Sequence, residues 1–212
     1  FNCVAGLMAI AEGDGLFLGG SVSLRSLAPH HILENGVART FQNLRIFKNM
    51  TVLENVAVGF HSRTRYGLWD AFIRSRRFAV EEKMISQRSR ELLHLIGLQD
   101  KGNEIAGNLS YGSQKRLEIA RALASEPKLL LLDEPVAGMN PTEKDDLAQL
   151  IRTIRARNVA ILLIEHDMRV VMPLSHRIIV LDEGQKIAEG SAEQVKNDPR
   201  VIKAYLGESG DA

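Results

Sequence analysis

Residues 129–135 read Leu-Leu-Leu-Leu-Asp-Glu-Pro: four apolar positions run into two carboxylates, and a proline closes the run. A short unbroken apolar run bounded in this way predicts a strand buried on both faces, as in a parallel sheet. Asp133 and Glu134 then fall at the C-terminal end of that strand, the edge where open α/β sheets bind ligands. Adjacent carboxylates there allow a division of labour. One holds a hard cation such as Mg2+ through oxygen, and the other polarises a water. Taken alone, the pair also fits a strand that ends in a solvated acidic turn. A second apolar run, 159–164, leads into Glu165-His166-Asp167, and a third strand is predicted over 177–181. Strand–helix–strand alternation across 128–181 predicts a parallel α/β sheet.

The 212 residues suffice for one α/β domain, with or without a subdomain, and 45% hydrophobic with 25% charged residues is the composition of a soluble globular protein. A net charge of +1 gives no strong basic field that would argue for nucleic acid or an anionic membrane. The single cysteine, Cys3, excludes an internal disulfide and fits a reducing compartment. No apolar stretch approaches the ~18 residues of a membrane span, and no signal peptide is evident.

Residues 1–8 are compatible with the tail of a helix. Gly13, Gly15, Gly19 and Gly20 punctuate two β-prone pieces, 16–18 and 21–24. Pro29 opens a short helix that ends at Gly36, and residues 37–41 are strand-like and lead into Gln42. Thr51 and Glu54 have capping-box spacing and start a helix to about Gly59. Helices are predicted over 81–96 and 115–125. Asn140-Pro141-Thr142-Glu143 is a strong helix start, with Asn140 as N-cap and Pro141 at the first position. Residues 182–185 turn the chain into a hairpin with 186–188, and short helices close it at 192–197 and 199–206. Between 61 and 80, Tyr66, Trp69, Phe72 and Phe78 alternate with Arg63, Arg65, Arg74, Arg76 and Arg77. That mixture fits an amphipathic helix with a solvated basic face, a nucleic-acid contact or a docking surface for a partner.

Leu109-Ser110-Tyr111-Gly112-Ser113-Gln114 resembles the signature of ABC ATPases, usually Leu-Ser-Gly-Gly-Gln. Residues 129–134 resemble the Walker B strand and catalytic glutamate of that family, Gln42 its Q-loop glutamine, residues 137–140 its D-loop and His166 its switch histidine. The motifs stand in the family's order, and the resemblance covers essentially all 212 residues. Ala38-Arg39-Thr40-Phe41-Gln42, the Ser-Tyr-Gly-Ser-Gln form of the signature and residues 198–207 are similar to the ATP-binding subunits of branched-chain amino acid importers. Subunits that serve amides or urea are close relatives of these.

The resemblance implies a P-loop NTPase-like α/β ABC ATPase domain with a mainly helical subdomain. Residues 1–44 would be a remnant of the nucleotide-binding core and 45–124 the helical subdomain with the signature. Residues 125–190 would be the parallel-sheet core and 191–212 a C-terminal helical tail. The implied cofactors are ATP and Mg2+. Glu134 and His166 take catalytic roles, Gln42, Ser110, Gly112, Gln114 and Asn140 bind nucleotide, and Asp133 with Gln42 serves the metal. Residue chemistry agrees: Ser110 can cap the following helix, whose N–H groups suit a phosphate, and Glu134 suits a general base. The implied partners are membrane permease subunits docked on 45–124 and a second ABC ATPase subunit, identical or paralogous, with no nucleic acid. The implied location is cytoplasmic, peripheral on the inner face of the cell membrane. Rival readings are an ABC ATPase acting on nucleic acid or ribosomes and a non-catalytic interaction module.

The chain contains no Gly-x-x-x-x-Gly-Lys-[Ser/Thr]. In the family this P-loop directly precedes a helix, and residues 1–7 resemble the stretch just after it. The expectation is therefore a truncated sequence that begins past the P-loop, without the first strands. Lacking the lysine and backbone N–H groups that hold the phosphates, the chain as written is expected to have no useful ATP affinity or turnover. A lost strand would leave its sheet neighbours unpaired.

Overall fold

The computed structural model describes the chain except Asp14, Leu18, Gly19, Ser21, Ser26, Arg65 and residues 207–212, and except the side chains of Leu16, Phe17, Leu68, Ala71 and Leu206. The expectations that fall on Leu18, Gly19, Ser21, Arg65 and Gly207 lie outside the described residues. The chain forms two compact units, residues 1–164 and 165–212.

In the first unit, residues 1–8 are too short for a regular helix but end like the expected helix tail. The Ala5 amide donates to the Phe1 carbonyl at 2.9 Å, and the Leu7 and Gly6 amides donate to the Asn2 and Cys3 carbonyls at 2.8 and 3.2 Å around Gly6 at φ +70°. That pair of bonds about a left-handed glycine is a common helix C-terminus. Strands β1 (Leu16–Phe17) and β2 (Val22–Ser23) pair antiparallel. Helix α1 (Pro29–Glu34) starts on Pro29 and leads through Gly36 into β3 (Val37–Arg39). β3 pairs in parallel with β4 (Leu129–Asp133), which pairs in parallel with β5 (Ala160–Ile164). Leu130, Leu131 and Leu132 are fully buried, as an apolar run in a parallel sheet requires. Leu131 packs with Leu24, Ile32 and Val37 in one core cluster. β5 is the edge of this sheet among the described residues, and Leu162 and Ile164 stand exposed on it.

The helices follow their caps. Thr51 and Glu54 close a full capping box at the start of α2 (Val52–Gly59). Residues 60–63 form a 3-10 turn, followed by α3 (Leu68–Phe72). Helix α4 (Arg76–Leu95) begins five residues before the expected position, because the Ser75 hydroxyl accepts from the Phe78 amide at 3.2 Å and caps it earlier. Helix α5 (Tyr111–Leu123) is capped by Ser110, and α6 (Pro141–Ala156) by Asn140 with Glu143 in a second capping box.

In the second unit, Asp167 caps α7 (Met168–Leu174), a helix the sequence reading missed. β6 (Ile178–Asp182) pairs antiparallel with β7 (Gln185–Gly190), which is the expected hairpin. Among the described residues the parallel pairing expected across 128–181 is made by β4 and β5 and not by β6. Glu183 and Gly184 both have positive φ, +46° and +80°, the backbone that tight two-residue hairpins need, so the local turn decides the partner. Helices α8 (Ala192–Lys196) and α9 (Pro199–Leu206) complete the unit. Its core gathers Val171, Ile178, Ala188, Val195 and Val201.

α2 and α5 approach so closely that a Cβ on Gly59 would lie 2.3 Å from the Arg121 carbonyl oxygen and 2.7 Å from the Ala124 Cβ. Backbone is the obstacle, so a side chain there must push the helices apart. Gly59→Ala is expected to destabilise the chain by about 1–3 kcal/mol, read as a Tm lower by about 2–4 °C per kcal/mol. An unchanged Tm would contradict this packing.

Candidate functional site

Two groups of the expected residues come together within the first unit. The first lies at the C-terminal ends of β3 and β4. Asp133 is the last residue of β4, opposite Ile164 of β5. Glu134 follows in the left-handed region at φ +43°, its amide donating to the Ile164 carbonyl at 3.0 Å. Such a backbone is strained for a non-glycine residue and is met where a side chain must be re-aimed. Gln42 donates from Nε2 to Glu134 Oε2 at 3.4 Å, so the glutamine after β3 and the glutamate after β4 are neighbours. Asp133 is held by an arginine that the sequence reading had assigned no role. Arg39 Nη2 donates to Asp133 Oδ2 at 2.9 Å and Nη1 to Asn2 Oδ1 at 2.6 Å. The rings of Phe1 and Phe41 lie 5.7 and 5.4 Å from its guanidinium carbon. Both members of the Arg39–Asp133 pair are mostly buried. A cation brought to Asp133 therefore meets a carboxylate that a guanidinium already neutralises.

The second group joins the N-termini of α5 and α6. Ser110 accepts from the Ser113 amide. Gly112 is pressed against α6, where an added Cβ would meet Glu143 Oε1 at 2.7 Å. Asn140 Oδ1 accepts from the Glu143 amide, and Glu143 accepts from the Asn140 amide, both at 3.0 Å. Gln114 donates to the Leu109 and Gly107 carbonyls at 2.9 and 3.2 Å, fixing the loop that precedes α5. Gln114 and Asn140 thus first serve their own backbone. His166 belongs to the second unit, where its amide donates to the Glu165 carboxylate at 3.2 Å just before α7.

The residues that tie the two groups together were not singled out in the sequence. Lys115 and Glu118, one turn apart on α5, are 3% and 2% exposed. Lys115 Nζ donates to the carbonyls of Gln42 and Phe41 at 3.0 and 3.3 Å. Glu118 Oε1 accepts from the amides of Arg45 and Phe41 at 3.2 and 3.4 Å. Helix α5 therefore presents Ser110 and Gly112 at its start and grips the backbone on both sides of Gln42 one turn later. No sequence signal marks Lys115 and Glu118: α5 is buried nearly all round, from Gly112 to Leu123, only once the fold is formed, and its charged residues then cannot simply face water. Glu118 Oε2 finds no hydrogen-bond partner among the described residues. Glu118 also lines a cavity of about 1000 Å3 with Phe41, Arg45, Phe47, Val58 and Arg121.

Burial pushes the Glu118 carboxyl above its ordinary value of 4.5, against the bond from the Arg45 amide and the charge of Lys115, which pull it down. A carboxyl raised in the folded state binds more protons there than in the unfolded chain. Its contribution is complete below pH 4.5 and is lost as pH rises through the folded value. Glu118→Gln keeps an acceptor for both amides and does not titrate. Between about pH 4 and pH 8 its stability is expected to fall less than that of the parent chain. Parallel stability–pH curves from denaturant melts would contradict the buried carboxylate.

Known proteins give this geometry a context. The family described as ABC transporter matches residues 1–137, and the family described as branched-chain amino acid ATP-binding cassette transporter matches residues 185–211. The high-affinity branched-chain amino acid transport ATP-binding protein LivG of Escherichia coli (strain K12) is 42% identical over 210 residues, 99% of this chain and 82% of the relative. The corresponding BraF protein of Pseudomonas aeruginosa is 41% identical over the same shares. A crystal structure of a nucleotide-free ATP-binding cassette from an ABC transporter superposes with a TM-score of 0.80 at 31% identity, covering 98% of this chain and 82% of that one. An ADP-bound cassette gives 0.78 at 30% identity over the same shares. By sequence over nearly its whole length and by fold, the chain belongs to the ABC transporter family, on the side of its branched-chain amino acid ATP-binding proteins.

Proposed function

We propose that this chain is the ATP-hydrolysing subunit of an importer for branched-chain amino acids. The observation that carries the reading is the cluster of Gln42, Asp133 and Glu134 at the C-terminal end of a buried parallel strand, in a chain whose relatives LivG and BraF are named for that transport.

The donors suit Mg2+ beside a phosphate. That ion is commonly held by one or two carboxylates, with phosphate and water completing its shell. Asp133 offers one carboxylate, whose Oδ2 Arg39 already holds, so the ion would share it with the guanidinium or displace that bond. The described residues contain no group of three or more His, Cys, Asp or Glu that would form an all-protein cage. Bound there, the ion would neutralise charge developing on the phosphates. Glu134, steadied by Gln42, would orient the attacking water and take its proton. His166 would donate a hydrogen bond to a phosphate oxygen. Ser110 and Gly112, at the start of the thirteen-residue α5, would face a phosphate through the N–H groups of the first helical turn. The chain carries no glycine-rich loop ending in lysine, so it offers only one side of a nucleotide site and is expected to be inactive alone.

Partners follow from that half-site. A second ABC ATPase subunit, of the same or a paralogous kind, would bring its own phosphate loop to Ser110 and Gly112. Permease subunits would dock on the helical stretch 45–124, where Phe47 and Val58 are exposed at the cavity above Glu118. No helix of the described residues is long and apolar enough to cross a membrane, so attachment to the inner face of the cell membrane would be peripheral.

The test is ATP turnover and leucine uptake in permease vesicles carrying this chain, an intact LivG-type subunit, or both. This chain alone is expected to give no turnover. In the mixture it should raise turnover and uptake above those of the intact subunit at the same concentration, and Ser110→Arg should remove the gain. A micromolar Kd for ATP with the chain alone would contradict the inactivity. No gain on mixing would contradict the importer partnership, and a gain in amide or urea uptake but not leucine uptake would contradict the substrate.

A further inference from the structure

Residues 68–84 expose large apolar side chains that neither site group uses. Trp69 is 79% exposed, Phe72 82%, Ile73 67% and Val80 68%, and Met84 is exposed one turn beyond Val80 on α4. The Trp69 and Phe72 rings meet edge to face with centroids 6.2 Å apart, so they form one apolar knob on α3. The turn from α3 to α4 is hydrogen-bonded into a definite form. Asp70 accepts from the Ser75 hydroxyl at 2.8 Å and from the Gly67 amide at 3.2 Å. Tyr66 donates to Glu82 at 2.8 Å while its ring packs edge-on against Phe78. The knob is thus held outward by a built corner.

The whole-chain charge of +1 conceals a local excess at this corner. Residues 61–84 hold five arginines, Arg63, Arg65, Arg74, Arg76 and Arg77, and Lys83 against three acids, Asp70, Glu81 and Glu82, so the rest of the chain is net acidic. Arg77 pairs with Glu81 at 3.4 Å. Arg74, Arg76 and Arg77 are exposed and sit between Ile73 and Val80 in sequence. Exposed tryptophan and phenylalanine beside arginine is the chemistry of a membrane–water interface. Aromatic rings rest at headgroup level, aliphatic stems of arginine lie along the apolar surface, and guanidinium groups meet anionic phosphates.

We propose that the α3–α4 corner is a lipid contact, in which Trp69, Phe72, Ile73 and Val80 enter the interfacial layer of an anionic bilayer and Arg74, Arg76 and Arg77 bind its headgroup phosphates. This goes beyond docking on a permease, because the lipid itself takes part in holding the subunit. Nucleic acid fits the corner less well. Single strands use aromatic stacking platforms, which Trp69 and Phe72 provide, but Ile73, Val80 and Met84 add an aliphatic surface that stacking does not use. A protein partner would use the same aromatic and arginine side chains, and the vesicle titration separates it from lipid.

Trp69 is the sole tryptophan of the chain, so intrinsic fluorescence reports on the corner directly. The full chain would be titrated with vesicles of phosphatidylcholine containing one-third phosphatidylglycerol, and with vesicles of phosphatidylcholine alone. The expected result is a blue shift and protection from acrylamide quenching on the anionic vesicles only, weakened on raising salt from about 0.1 M to about 1 M. Replacing Arg74, Arg76 and Arg77 together by glutamine should weaken partitioning by about 100-fold with the Tm nearly unchanged, since all three side chains lie at the surface and the ion pair lost, Arg77–Glu81, is an i,i+4 surface pair. Phe72→Ser should weaken it as well while leaving the salt dependence. Absence of a shift on anionic vesicles would overturn the proposal, as would a triple variant that binds like the parent. A shift with single-stranded RNA or with detergent-solubilised permease, but not with vesicles, would overturn it in favour of that partner. None of these outcomes bears on the ATPase reading, whose test is turnover.

Discussion

The candidate site depends on two buried charges one helical turn apart. Lys115 and Glu118 are almost wholly removed from water, which is costly for either charge unless hydrogen bonds replace its hydration. Both find those bonds on the same stretch of backbone: the carbonyls of Phe41 and Gln42 for the lysine, and the amides of Phe41 and Arg45 for the glutamate. Neither side chain could be satisfied if this stretch moved away, and the stretch would leave its own polar groups bare. Arg121, a turn further along α5, adds a bond to the Arg45 carbonyl. One face of a single helix thus fixes residues 41–45, and with them the reach of Gln42 to Glu134.

This arrangement has a mechanical meaning. The N-terminus of α5 carries Ser110 and Gly112, its second and third turns hold the loop of Gln42, and β4 ends in Asp133 with Glu134 just after it. A displacement of α5 would be passed to Gln42 through hydrogen bonds and not through loose packing. At the other side of β4, Arg39 neutralises Asp133 between two phenylalanine rings, so the carboxylate is shaped and electrically quiet before any cation arrives.

Much of this could be read from the residues, and the exceptions have physical causes. The buried strand at 129–133 and the helix starts at Thr51 and Asn140 were legible because apolar runs and caps act locally. The early start of α4 was missed because Ser75 lies among arginines and aromatics that masked its capping role. The β6–β7 hairpin was legible because the tight turn at Glu183 and Gly184 acts locally, whereas strand–helix alternation alone overstated how far the parallel pairing runs among the described residues. Lys115 and Glu118 look like ordinary surface residues of a helix, and only tertiary contact shows that they face the 41–45 backbone. Arg39 is likewise silent until β3 and β4 stand side by side. Sequence therefore pointed to candidate site residues, several of which the fold brings together, and missed those that hold them in place.

The most direct test of this account is amide hydrogen exchange at Phe41 and Arg45. Glu118→Ala removes the acceptor that both amides share. Loss of a buried hydrogen-bond partner costs about 1–3 kcal/mol, so exchange at these two amides should quicken by about 10- to 100-fold. Amides inside α6, far from the clamp in the chain, should keep their protection. Unchanged exchange at Phe41 and Arg45 would contradict the claim that α5 holds the Gln42 segment, and with it the physical link between the two halves of the candidate site.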